Sequence, residues 1–422
     1  MNRQGSLILG IICCLLILSG CLQSVPQDNN QDDSETIPPM IETPEKEPVI
    51  IGPPEIIVSP IDEMIDQMTL AEKVGQLLVI GVEGTSFSDE MDNLIRNYHV
   101  GGVIVMGKNV STAAEMLQLI NNIKQTNEPN KIPLFMSVDE EGGRVSRLPA
   151  GISKLPEAAK MGKQNDKTIS YRAGNYVAEV LHEFGYNMNF APVLDINNNP
   201  KNPVIGDRSL GADPELVGRL GVATMHGMMD NGIISVVKHF PGHGDTVVDS
   251  HKALPKVEVT LERLRNVELV PFQQAIDKGA DAVMVAHILF PALDPDYPSS
   301  MSEAIITDLL RDDMQFDGIV ITDDLTMGAI ANDYTVPEAA VQSFISGSDL
   351  LLIVNGYDNQ INTVNALVAA IEAGEITEER LNESVKRILT LKEKYDVADD
   401  VNESVDAKKL NDLYQELISR LK

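Results

Sequence analysis

The chain has 422 residues, with 33 Lys and Arg against 63 Asp and Glu and a formal net charge of −30. That balance excludes a nucleic-acid or polyanion binder, because phosphate contacts need clustered Lys and Arg; it reads instead as a soluble, self-repelling surface. Hydrophobic residues make up 43% of the chain, enough apolar material for one large α/β domain or two smaller ones.

Residues 1–20 have the pattern of a targeting segment and stand outside fold reasoning. Arg3 supplies a basic start, and residues 7–18 are almost unbroken apolar, shorter than the roughly 20 residues a membrane span takes. The run closes on Leu18-Ser19-Gly20-Cys21, which resembles the lipobox of bacterial lipoproteins. The resemblance implies cleavage before Cys21 and a lipid anchor on its sulfur, holding the rest of the chain outside the cell membrane. The alternative is an uncleaved N-terminal membrane helix. The three cysteines, Cys13, Cys14 and Cys21, lie in this leader or directly after it, so whatever follows must stand on its core without disulfides. Residues 21–60 are rich in Pro, Asp, Glu, Gln and Asn without helical or strand period, the composition of a disordered tether.

Residues 61–422 read as one domain. Short apolar runs at 77–82, 102–106, 134–138, 188–194, 235–239, 282–286, 318–322 and 350–354 alternate with amphipathic segments such as 113–124, 169–184, 215–231, 261–278 and 337–346. Near-continuous apolar character is what strands buried on both faces of a parallel sheet require. Eight such units predict an α/β fold of the (β/α)8 TIM barrel type. The alternative, an open doubly wound sheet, finds no G-x-G-x-x-G turn after the first strand to favour it. Segments 378–394 and 407–421 read as helices that finish the outer layer.

In such barrels the chemistry sits where strands end. The polar residues at those ends are Asp139, Asp195, Lys238-His239, His287 and Asp323-Asp324. The spacing of His239, His243 and His251 is loose, no H-E-x-x-H occurs and no Cys is within reach, so neither a catalytic metal nor a cofactor is expected.

Five stretches carry a family resemblance: Val138-Asp139-x-Glu-Gly-Gly-Arg-Val145, Phe190-Ala-Pro-Val-Leu-Asp195, Lys238-His-Phe-Pro-Gly-His-Gly244, Asp249-Ser-His251 and Thr322-Asp-Asp-Leu-Thr-Met327. In this order, each at a predicted strand end or in the loop beyond it, they resemble the β-N-acetylhexosaminidase branch of glycoside hydrolase family 3 over about residues 61–394. The resemblance implies a retaining glycosidase acting on an amino-sugar glycan, removing terminal β-linked N-acetylglucosamine from peptidoglycan or chitin fragments. It makes Asp323 the nucleophile and His251 the proton donor, with Asp249 beside it. It assigns sugar contacts to Asp139, Arg208, Lys238 and His239; Arg147 is expected to join them, and Met327 to pack on the N-acetyl methyl group. His243 is expected to brace the loop, Asp195 either to brace the pocket or to touch substrate, and His287 to stand behind it. Protein partners are not indicated.

The residues themselves are suited to those roles. Retaining hydrolysis needs a nucleophile on one face of the sugar and a proton donor on the other. Asp249 and His251, two apart in an extended loop, point the same way, so the carboxylate can orient the imidazole and favour its protonated form. The bland readings are a surface histidine, and for Asp324 a helix cap. The Pro241-Gly242 turn suggests a loop that swings His251 inward on binding. One departure stands out: the family usually shows Asp-Gln-Glu where this chain has Asp139-Glu140-Glu141, which is expected to add a negative charge near the mouth. Rival functions are phosphorolysis through the same intermediate, a β-glucosidase or β-xylosidase of the family, and a non-catalytic sugar-binding lipoprotein.

Overall fold

The structure, a computed structural model, describes residues 59–420. The expected leader, the lipidated Cys21 and all but the end of the tether therefore lie outside the described residues. Ser59 caps the first helix, Pro60–Gln67, by accepting the Asp62 N–H on its hydroxyl at 3.2 Å. Three later helices open on a Thr-x-x-Glu capping box, at Thr69, Thr112 and Thr335, where hydroxyl and carboxylate satisfy each other's backbone donors.

Eight strands follow: β1 (Leu78–Gly81), β2 (Gly102–Ile104), β3 (Phe135–Val138), β4 (Met188–Asn189), β5 (Ile234–Phe240), β6 (Ala282–Val285), β7 (Ile319–Thr322) and β8 (Leu351–Ile353). All pair in parallel in the order β7-β6-β5-β4-β3-β2-β1-β8. A parallel bridge between Ile321 and Leu350 joins the two ends, with the Thr322 N–H donating to Leu350 O at 3.0 Å. The sheet is thus a (β/α)8 barrel, as the eight apolar runs predict. Every residue in these strands is buried, which is why the runs are continuous rather than alternating. Among the described residues, no helix is long and apolar enough to cross a membrane.

Departures from the predicted elements have local causes. The fourth run shrinks from seven residues to two, because Pro192 has no N–H to donate to the ladder; beyond it only Val193 bridges to Lys238. The predicted helix 261–278 breaks into Leu261–Asn266 and Val270–Asp277, with Pro271 in the first turn of the second, a position where the missing donor is harmless. Between β6 and β7 the segment Ala304–Asp313 winds as a π-helix.

The helix Glu378–Lys394 does not finish the outer ring as expected; it lies across the N-terminal ends of the strands. Lys392 donates to Gln76 Oε1 at 2.8 Å and to Gly101 O at 2.9 Å, just before β1 and β2, and sits over the Phe135 ring. Lys394 reaches Asp281 before β6. At the start of β8, buried Asp349 meets Arg311 at 2.6 Å, Arg387 at 3.2 Å and Arg380 at 3.8 Å, and accepts the Ser384 hydroxyl at 2.6 Å. The helix Ala407–Ile418 packs on the outer layer, with Tyr414 tilted against Tyr176 of the helix Lys167–Phe184, ring centroids 5.7 Å apart.

Burial opposes the ionisation of Asp349, yet Arg311, Arg380, Arg387 and the Ser384 hydroxyl hold its carboxyl below the ordinary 3.8. Asp349→Asn leaves those guanidinium groups without their counter-ion and should cost about 3–5 kcal/mol in denaturant unfolding. Because the folded-state value is depressed, the stabilisation is present above pH ~4 and lost as pH falls through the folded value. The gap between wild type and variant should therefore close on acidification.

Candidate active site

At the opposite, C-terminal end of the strands lies a cavity of about 520 Å³. It collects Asp139 and Arg147 from the segment after β3, Arg208 from the turn Gly206–Arg208, Lys238 and His239 from β5, His251 from the loop beyond, and Asp323 and Met327 from the segment after β7. Every sequence-predicted binding residue thus lines one space. Asp249 reaches it only through His251.

A buried charge network forms the floor. Lys238, 2% exposed, bonds Asp139 Oδ1 at 2.6 Å and Glu141 Oε1 at 2.7 Å. Glu141, 5% exposed, also takes the Arg208 guanidinium in bidentate fashion, both contacts at 2.8 Å. Burial opposes charge on Glu141, but Lys238 and Arg208 outweigh it and hold its carboxyl far below the usual range. Burial likewise opposes charge on Lys238, and Asp139 and Glu141 more than offset it. Glu141 is the functional residue that sequence reasoning passed over. Its signal was present: two residues from Asp139, it faces the same way in an extended chain.

Asp195 braces the next layer. Its Oδ2 accepts from His239 Nδ1 at 2.6 Å and its Oδ1 from the His243 N–H at 2.5 Å. His243 in turn meets Ser250 Oγ at 3.0 Å and Thr246 Oγ1 at 2.9 Å. Burial, helped by His239, pushes the His243 imidazole down to about 4, so it is neutral and serves as a hydrogen-bonding strut. Gly244 lies so close to Ile196 O that any Cβ would come within 1.7 Å of it; the β5 loop can dock there only as glycine.

Asp323 is partly open to the cavity. Its N–H donates to Val285 O and its Oδ1 accepts the Asp324 N–H, both at 2.9 Å. Burial works against its charge, but His287, His239, the Asp324 N–H and Lys238 together keep the carboxyl below the ordinary range. Asp324 goes the other way: burial raises it. Its Oδ1 accepts from the N–H groups of Thr326 at 2.9 Å and Val354 at 3.0 Å, so its work is to fold the turn. His287 stands behind, bonded to Ser300 Oγ and Asp324 O.

His251 is 68% exposed at the rim, and Asp249 Oδ1 accepts from both its N–H and its Nδ1 at 3.0 Å. The loop is less free than its Pro-Gly turn suggests. Gly328 N–H donates to His251 O at 3.3 Å, Ala329 N–H to Ser250 O at 3.0 Å, and Asn332 to Lys252 O at 2.9 Å. Segment 250–252 is thereby docked on the helix Gly328–Ala331, while Val247 and Val248 at the tip are exposed. Glu140 also departs from expectation: it is buried and adds no charge to the cavity lining.

In sequence and fold the chain is similar to known proteins. The family description "Glycosyl hydrolase family 3 N terminal domain" fits residues 69–391. Beta-hexosaminidase A of Pseudoalteromonas piscicida is 33% identical over 335 residues, covering 74% of this chain and 56% of that protein. A beta-hexosaminidase of Tolumonas auensis is 36% identical over 295 residues, covering 69% and 86%. A solved glycoside hydrolase family 3 beta-N-acetylglucosaminidase from Paenibacillus superposes with a TM-score of 0.78 at 43% identity, covering 83% of this chain and 68% of that one. The chain belongs to glycosyl hydrolase family 3. The glycosidase class implied by its motifs agrees with these relatives, although it spans little more than half the length of the Pseudoalteromonas protein.

Asp195→Asn should leave the barrel folded by circular dichroism while loosening His239 and the β5 loop. Loss of charge-assisted bonds of about 1.5–3 kcal/mol predicts a roughly 10- to 100-fold lower kcat/KM on an aryl glycoside; an unchanged value would remove Asp195 from the bracing role.

Proposed function

We propose that the chain is a retaining β-N-acetylglucosaminidase that removes terminal β-linked N-acetylglucosamine from peptidoglycan or chitin fragments. The observation that carries this reading is the meeting of Asp323, Met327 and the Asp139–Lys238–Glu141–Arg208 network in one cavity, with the Asp249–His251 pair at its rim. The names of the related hexosaminidases support the amino-sugar preference.

In this mechanism an Asp323 oxygen attacks the anomeric carbon as the glycosidic C–O bond breaks. The leaving oxygen takes the proton from His251 Nε2, while Nδ1 stays on Asp249. The neutral ring then removes a proton from water, which displaces the Asp323 ester. The charged floor binds hydroxyls, and Met327 offers an apolar wall for the acetyl methyl. A lipid anchor on Cys21, holding the enzyme outside the cell membrane, belongs to the same proposal and rests on the leader sequence.

Asp323→Ala should lower turnover of nitrophenyl N-acetylglucosaminide roughly a thousandfold or more, and a fluoro-sugar trap should label Asp323 in the wild type. His251→Ala should cost about 10²–10⁴ on a glycan with a poor leaving group and much less on the nitrophenyl substrate. Since the Asp323 carboxyl is depressed, its protonation should not limit activity until the pH drops below the ordinary 3.8. Nitrophenyl glucoside as the better substrate would defeat the amino-sugar assignment. Appearance of N-acetylglucosamine 1-phosphate in phosphate buffer would replace hydrolysis by phosphorolysis.

A further inference from the structure

Between Asp139 and Glu141, which face the cavity, Glu140 turns the other way and is 1% exposed. Asn189 of β4 clamps its main chain from both sides: Glu140 N–H donates to Asn189 Oδ1 at 2.9 Å, and Asn189 Nδ2 donates to Glu140 O at 3.0 Å. The side chain spans the turn, Oε2 accepting the Arg147 N–H at 2.8 Å. Its Oε1 is buried with no hydrogen-bond partner, and so is Arg147 Nε.

The groups that face this carboxyl are few. From its own segment come the Ser146 hydroxyl, the Arg147 guanidinium and the Glu141 carboxylate. From the helix Lys167–Phe184 comes Tyr176, whose hydroxyl is committed to Ser153 O, and just beyond that helix stands Tyr186, whose hydroxyl has no partner. The Arg147 guanidinium thus answers to two acids: Asp139, 4.0 Å away, and Glu140, whose charged form it favours.

We propose that Glu140 is a proton-controlled positioning residue. With its carboxyl protonated it splints the 139–147 turn and leaves Arg147 to the sugar; with its carboxylate ionised it draws the guanidinium inward and weakens sugar binding. Burial supports a switch near neutrality by pushing this carboxyl up to about 7, because an ion in a site of low polarity is costly unless paired. The inference rests on the reading of the cavity as a sugar site.

The test compares wild type with Glu140→Gln, an isostere that cannot ionise, between pH 5.5 and 8.5. Binding of N-acetylglucosamine by titration calorimetry should weaken about tenfold in the wild type across this range and stay level in the variant. The same split should appear in KM on the nitrophenyl substrate, with the kcat profiles superimposed. A parallel pH dependence of binding in both proteins overturns the proposal. Arg147→Ala should bind weakly at every pH; a preserved tenfold slope in that variant also overturns it. A second readout needs no ligand. A carboxyl whose folded value is raised keeps a proton that the unfolded chain gives up, so stability is full at low pH and falls as pH rises toward the folded value. The Tm of the wild type relative to Glu140→Gln should thus drop between pH 5 and 8. If N-acetylglucosamine binds at no pH, the sugar reading fails and this comparison alone decides on Glu140, a flat Tm difference counting against it.

Discussion

One carboxylate holds the mouth of this barrel together. Glu141 is shared by Lys238 and Arg208, and those three residues come from three different places: the segment after β3, the turn after β4, and β5 itself. Buried ion pairs of this kind add little net stability over apolar packing, but breaking one leaves an uncompensated charge at a cost of about 3–5 kcal/mol. The network therefore acts as a constraint on geometry. It fixes where Asp139, Arg208 and Lys238 can be, and through Asp195 and His239 it extends to the loop that bears His251. A site whose side chains must keep fixed directions needs such rigidity.

The same arrangement settles the electrostatics around Asp323. The whole chain carries −30, yet the cavity floor sets Lys238, Arg208 and Arg147 among its carboxylates. Two adjacent acids are driven apart: Asp323, faced by His287, His239 and Lys238, is stabilised as an anion, while Asp324 is absorbed in the backbone of its own turn. Environments that split the properties of neighbouring acids are how one fold assigns separate roles to identical side chains.

Much of this was legible in the residues because barrel strands are buried on both faces, so their runs stand out as unbroken apolar segments. Asp139, Lys238, His239 and Asp323 followed from their places at strand ends, whereas Arg208 and His251, carried on loops, came with the family resemblance. Most of what escaped prediction was non-local. Pro192 and Pro271 mark where a strand stops and a helix breaks, but the amphipathic pattern of Glu378–Lys394 is the same whether it covers a side of the barrel or one end. The β5 loop looked free at Pro241-Gly242, and its tethers to Gly328 and Ala329 lie too far along the chain for local pattern to reveal. The charge of Glu140 points to the mouth, but alternation with Asp139 and Glu141 turns it inward, where it is buried.

The position of the helix Glu378–Lys394 has a bearing on how the protein comes into being. The start of β8 carries Asp349, and two of the three guanidinium groups that neutralise it, Arg380 and Arg387, belong to that helix. Lys392, which bridges to Gln76 and Gly101 beneath β1 and β2, comes later still. A chain emerging from the ribosome N-terminus first would have all eight strands in hand with one end of the barrel unsealed and a buried acid short of counter-ions. Closing this end of the barrel is thus tied to synthesis of the helix Glu378–Lys394, because until it emerges Arg311 is the one guanidinium of the three available to Asp349.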